Sequence, residues 1–162
     1  MAELLGGYTD RMRVSHMLGF DDPAVMVAEA EKMRDTYGIS TFKVKVGRRP
    51  LQLDTAVVRA LRDRFGAEVD LYVDGNRGWS ASESARAMKE MADVGLLFAE
   101  ELCPADDVIG RRWLVGQLDV PFIADESVRD HRLEGLSTFV PGDESGPVIE
   151  FWDTAGAGGD EE

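Results

Sequence analysis

The chain has 162 residues, the size of one domain with a core of its own. Apolar residues make up 44% and charged residues 30%, which excludes a disordered polymer, and no apolar run nears the ~18 residues of a membrane span or forms a signal-peptide core. The balance of 31 acids against 18 Lys and Arg, a net −13, argues against nucleic acid and membrane surfaces as partners, while the single Cys103 excludes an internal disulfide and points to a reducing cytoplasm.

The pattern then alternates in period. Residues 13–18 predict a short strand. Pro23, after Asp21-Asp22, opens an amphipathic helix to Tyr37, with Val25, Val27, Ala28, Ala30 and Met33 available for one face and Gly38 closing it. Residues 41–46 predict a β-branched strand. Residues 51–65 predict a helix with Leu53, Val57, Val58 and Leu61 inward and Gly66 behind it, and 69–73 another strand. Ser80-Ala81-Ser82-Glu83 is a capping box for a helix running to Val94. A strand over 96–99, a helix over 107–118 and a strand over 121–124 complete five strands separated by four helices. Consecutive βα units of this kind imply an α/β fold with a parallel sheet. Weaker strand candidates lie at 136–140 and 148–152. From Gly142 onward there are seven acids, five glycines and no Lys or Arg, so the end of the chain is expected to be disordered and acidic.

Three acids recur at one place in this pattern. Asp74 follows Leu71-Tyr72-Val73, Glu100 follows Leu97-Phe98-Ala99, and Asp125 follows Phe122-Ile123-Ala124. They are one βα unit apart, and in a parallel barrel equivalent strand ends meet on the C-terminal rim, where barrel active sites lie. Three carboxylates brought together repel unless a cation separates them, and hard oxygen donors suit a hard divalent ion such as Mg²⁺. Taken singly, an Asp at a strand end is more often a helix cap.

One unit upstream, Thr41-Phe42-Lys43-Val44-Lys45-Val46 places Lys43 and Lys45 on one strand face and the apolar residues on the other. Two ammonium groups disfavour each other's charge, so at least one should have a lowered pKa and be suited to accept a proton. Of the two, Lys45 is expected nearer the carboxylates, being closer to the strand's end. The structural alternative is an edge strand with a solvated lysine face. His16, Trp79 and Cys103 are read as packing residues, and Gly75-x-x-Gly78 lacks the pattern of a phosphate loop.

Lys43-Val44-Lys45, Val73-Asp74-Gly75-Asn76, Glu100-Glu101 and Ala124-Asp125-Glu126-Ser127, in this order and spacing, resemble the enolase superfamily in its muconate lactonizing enzyme and mandelate racemase branch. The resemblance runs from about Leu4 to Ser127. It implies a partial (β/α)8 barrel in which Asp74, Glu100 and Asp125 bind Mg²⁺ or Mn²⁺ and stabilise the enediolate formed when a proton leaves the carbon α to a carboxylate. Lys45 would carry the acid/base role and Lys43 would tune it, with Asn76 and Glu126 supporting the ligands. The substrate would be a small carboxylate and the activity that of an isomerase or lyase.

Two departures accompany the resemblance. Residues 1–12 look like the junction after a capping domain, with a partial barrel over 13–128 and a divergent acidic tail over 129–162. No lysine follows Lys89, so the second catalytic lysine expected on a sixth strand is not supplied by this chain. A truncated isomerase, an inactive remnant that still binds a divalent ion, and a non-enzymatic half-barrel that self-associates through open sheet edges are the three readings this leaves. The first two edges to consider are residues 13–18 and 121–124.

Overall fold

The computed structural model describes residues 13–127. The junction 1–12, the strand candidates at 136–140 and 148–152 and the acidic tail lie outside the described residues. Five strands and four α-helices alternate: β1 (His16–Leu18), α1 (Pro23–Tyr37), β2 (Thr41–Lys45), α2 (Gln52–Phe65), β3 (Asp70–Asp74), α3 (Ala81–Glu90), β4 (Ala99–Glu100), α4 (Val108–Val115) and β5 (Phe122–Ile123). The strands form one sheet in the order β1-β2-β3-β4-β5, and every pair is parallel. Among the described residues this is an open parallel sheet of α/β class, as the alternating periods predicted, and it matches the partial barrel that the resemblance implied.

Each helix covers the outer face of the sheet with a narrower stripe than composition suggests. In α1 the buried residues are Met26 and Ala30, with Met33 packed beside them, whereas Val25 is exposed. The spacing of four and three keeps Met26, Ala30 and Met33 on one side, and Val25 lies a hundred degrees away. In α2 the inward stripe is Asp54, Val58, Leu61 and Phe65, with Val57 beside it, and Leu53 faces solvent. Phe65 stacks on Phe42 of β2 with ring centroids 6.2 Å apart. That contact joins α2 to the strand that carries the lysines.

The capping box is formed as predicted: Glu83 N donates to Ser80 Oγ, and Ser80 N donates to Glu83 Oε2 at 2.8 Å. The helix ends at Glu90, four residues before the expected end. Met91 N reaches both Ala87 O and Met88 O, and Val94 N bonds Met91 O at 3.0 Å. The tighter turn brings Met91 and Val94, three apart, onto the same buried side.

The last strands are shorter than expected. Leu97 N still bonds Leu71 O at 2.9 Å, but the regular register of β4 covers only Val73↔Ala99 and Asp74↔Glu100. Beyond the strand ends the loops press together. Gly47, at φ +127°, lies against Gly78, where a Cβ would meet Gly47 Cα at 2.8 Å. A Cβ on Gly75 would fall 2.7 Å from Leu102 Cα. These glycines therefore serve close backbone approach between the turns after β2, β3 and β4. Trp79 is buried as expected, and its Nε1 donates to Arg48 O at 2.9 Å.

Removing the side-chain half of the cap tests how far α3 depends on it. Ser80→Ala is expected to lower stability by ~1 kcal/mol, read as a lower urea midpoint with an unchanged slope.

Candidate functional site

The site grows out of the β2–β3 register. Phe42 and Val44 pair with Leu71 and Val73 and are fully buried toward the helices, so Lys43 and Lys45 face the opposite side with Tyr72 and Asp74. Asp74 pairs with Glu100, which brings the second acid onto the same face. Strand parity carries the third, since Asp125 is two residues beyond Ile123, the partner of Glu100. His16 is on the helix side, where its Nε2 lies 2.7 Å from Glu29 Oε1 of α1, in keeping with a packing role.

The polar contacts are dense. Lys43 Nζ sits between two carboxylates, 2.8 Å from Asp74 Oδ2 and 2.8 Å from Glu100 Oε1. Lys45 Nζ donates to Asp74 Oδ2 at 2.7 Å and to Asn76 Oδ1. Asn76 N donates to Asp74 Oδ1 at 2.9 Å, and Asn76 Nδ2 to Glu126 Oε1 at 2.6 Å. Thus six of the seven residues singled out by sequence belong to one connected network, while Asp125 is held beside it by its backbone N, which donates to Glu101 Oε1 at 2.7 Å. The relative placement of the lysines differs from expectation: both reach Asp74, but Lys43 also reaches Glu100 and lies deeper among the acids.

The electrostatics follow from this placement. Burial alone would push the Lys43 pKa down, but hydrogen bonds to Asp74 and Glu100 outweigh it and raise it above the usual lysine value. The sequence-based expectation that the ammonium pair lowers a lysine pKa therefore fails for Lys43. Two carboxylates in contact outweigh the neighbouring ammonium. Burial raises the Asp74 pKa less than the two lysines and the Asn76 amide lower it, and it ends below the ordinary value. Glu100 moves the other way, to about 7, because burial, the nearby Asp74 charge and the Asp125 carboxyl together exceed the pull of Lys43.

Among the described residues no group of three or more His, Cys, Asp or Glu side chains is arranged to hold a metal ion. Lys43 stands between Asp74 and Glu100, and hydrogen bonds to it satisfy oxygens that a cation would take. The donor chemistry nevertheless fits a hard divalent ion: three carboxylates from three adjacent strand ends, on one face, without sulfur or imidazole.

Neighbouring turns stiffen the rim. Buried Asp54 accepts from Gly47 N and Arg48 N, each at 2.7 Å, and from Arg48 Nε at 2.6 Å, fixing the loop that follows Lys45. Asn76, Arg77 and Glu101 have φ of 40°, 63° and 40°, so left-handed non-glycine residues cluster at the ends of β3 and β4. Sequence reasoning missed Asp54 and also a buried ion pair, Arg111 Nη1 to Glu101 Oε2 at 2.9 Å. Glu101 was visible as a motif neighbour, whereas Arg111 carries no local signal. Cys103 is fully buried and burial raises its thiol pKa, as an inert thiol requires.

The family model described as enolase C-terminal domain-like matches residues 25–135. The chain belongs to that family. A solved relative, the muconate lactonizing enzyme from Mucobacterium smegmatis, is 82% identical over 78% of this chain and 36% of its own, with a TM-score of 0.77. The dipeptide epimerase from Enterococcus faecalis V583, complexed with Mg and L-Leu-L-Tyr, is 31% identical over 77% of this chain and 35% of its own, with a TM-score of 0.71. The L-Ala-D/L-Glu epimerase of Bacillus subtilis (strain 168) is 34% identical over 128 residues, 78% of this chain and 35% of that protein. This enolase-family chain thus spans about a third of the length of these relatives. Its relatives are isomerases, and the matched region holds all seven site residues.

The raised Glu100 pKa predicts a pH dependence of stability. Between about 4.5 and 7 the folded chain binds a proton that the unfolded chain releases, so stability falls as pH rises through that window. Urea unfolding in EDTA at pH 5 and pH 7.5 should show that fall, and Glu100→Gln should reduce it.

Proposed function

We propose that the chain is the metal-binding part of an isomerase or lyase that removes and returns a proton on the carbon α to a carboxylate. The observation that carries this reading is the joining of Lys43, Lys45, Asp74 and Glu100 on one sheet face at adjacent strand ends, through contacts of 2.7–2.8 Å. Asp74, Glu100 and Asp125 would hold Mg²⁺ or Mn²⁺, with Asn76 and Glu126 bracing them. A divalent ion there would supply positive charge beside a substrate carboxylate as its α-carbon loses a proton.

Lys45 is the proton carrier in this reading. Its Nζ lies at the open end of the strand, where Asp74 and Asn76 fix its direction. Lys43 remains cationic and lowers the cost of gathering acids around it. The 82% identity to a muconate lactonizing enzyme, a protein also solved with muconolactone, favours a muconate-type small carboxylate over a dipeptide as substrate. The buried Cys103 is compatible with a cytoplasmic setting, and no described helix is long and apolar enough to cross a membrane.

Titration with Mn²⁺, followed by electron paramagnetic resonance of the free ion, tests the metal half. Asp74→Asn should weaken binding at least tenfold, and equal affinity in wild type and variant would overturn the assignment. For the base, Lys45→Met in an enzyme completed by the remaining βα units should abolish exchange of the α-proton in D₂O while Mn²⁺ affinity stays near wild type. Retained exchange would place the base elsewhere.

We also propose that the chain self-associates. Among the described residues β1 and β5 each pair on one side only, and Met17 on the inner face is about half exposed. Sedimentation velocity should show association that grows with concentration. A compact monomer at all concentrations would overturn this reading.

A further inference from the structure

Asp125 lies beyond the end of a two-residue strand, so sheet pairing does not hold it. The last backbone bond of that ladder runs from Glu101 N to Ile123 O at 3.0 Å. What holds the turn is a side chain from the neighbouring strand end. Glu101 is fully buried, and its Oε1 accepts from Asp125 N at 2.7 Å, from Ser127 N at 3.0 Å and from the Ser127 hydroxyl. Its Oε2 accepts from Arg111 Nη1 at 2.9 Å.

Arg111 is itself buried on α4. Nη1 also donates to Cys103 O at 3.2 Å, Nη2 to Ser127 Oγ at 3.1 Å, and the guanidinium carbon lies 5.0 Å from the Phe122 ring centroid. Glu100 and Glu101 thus divide two tasks between adjacent carboxylates. Glu100 faces Lys43 on the site side, whereas Glu101 grips the backbone of the turn that presents Asp125. A buried carboxylate whose acceptor capacity goes to one turn and one arginine sets that turn's geometry, because each donor would be costly to leave unpaired.

We propose that Glu101, clamped by Arg111, is a positioning residue for the third metal carboxylate: it fixes the turn 125–127 so that Asp125 is presented beside Glu100. The inference rests on the metal-binding reading above. Groups that orient metal ligands typically change affinity by 10–100-fold when altered. Loosening the turn therefore weakens binding without removing any ligand.

The test uses the full 162-residue chain, with Mn²⁺ affinity measured beside amide exchange at Asp125 and Ser127 and far-UV circular dichroism. Glu101→Gln, which keeps the shape but sets an amide or a neutral oxygen against Arg111, should weaken Mn²⁺ binding about tenfold and speed exchange at those two amides. Circular dichroism and exchange in β2 and β3 should stay as in wild type. Arg111→Lys should lose less affinity than Arg111→Met, because a cation still faces Glu101. Ser127→Ala removes only a hydroxyl and should give a smaller loss in the same direction; it decides the matter if Glu101→Gln does not fold. Wild-type affinity in both Glu101→Gln and Ser127→Ala, with affinity lost in Asp74→Asn, would overturn the proposal and leave the metal reading standing. A wild-type chain that binds no Mn²⁺ would instead overturn the metal reading, and this proposal with it.

Discussion

Charge compensation on one face of a parallel sheet is the constraint that organises this chain. Asp74 is fully buried, and a buried carboxylate is tolerable only if hydrogen bonds and opposite charge replace the water it has lost. Lys43, Lys45 and the Asn76 amide supply both. The lysines in turn tolerate each other because Asp74 and Glu100 stand between and beyond them. Neither set of charges would be stable at this density without the other. The register Lys45↔Asp74 is therefore as much an electrostatic choice as a packing one. A slip of one residue would turn the lysines into the helix layer and Phe42 and Val44 out of it.

A second requirement is that the strand ends come close enough for such a network to close. Glycine provides this at Gly47, Gly75 and Gly78, where backbones touch at distances no Cβ would allow. Polar side chains then lock the loops that glycine has brought together. Asp54 holds the loop after β2 and Glu101 the turn after β5, each from outside the charged face. The chain therefore has two sets of acids. Those on the inner face confront the lysines, and those behind it shape the backbone that carries them.

The chain belongs to the enolase C-terminal domain-like family, and the relatives it matches are isomerases. The chain spans about a third of the solved relatives, and the face bearing the lysines and acids is one that a closed barrel would surround with further strands. In the described part, the chemistry is concentrated on β2 to β5 and the rim above them. The helices contribute packing, the Asp54 carboxylate that holds the loop after β2, and a buried cation, Arg111.

The order of elements was legible from sequence because helix and strand periods differ and because caps are local. Pro23 and Gly38 bracket α1, and Ser80 with Glu83 starts α3, through contacts spanning a few residues. The candidate site was equally legible, since strand parity and the repeat length of a βα unit carry Lys43, Lys45, Asp74, Glu100 and Asp125 to one rim. Only the tertiary structure decided which way each helix turns. Asp54 takes the inward position that hydrophobicity would assign to Leu53, because two loop amides need its carboxylate. It also decided the sign of the Lys43 pKa shift, which depends on acids 31 and 57 residues away in the chain. The clamp of Arg111 on Glu101 belongs to the same class. Its energy depends on burial and on Glu101 meeting donors from α4 and the turn after β5, and Arg111, the buried cation of that set, has no period or motif to announce it.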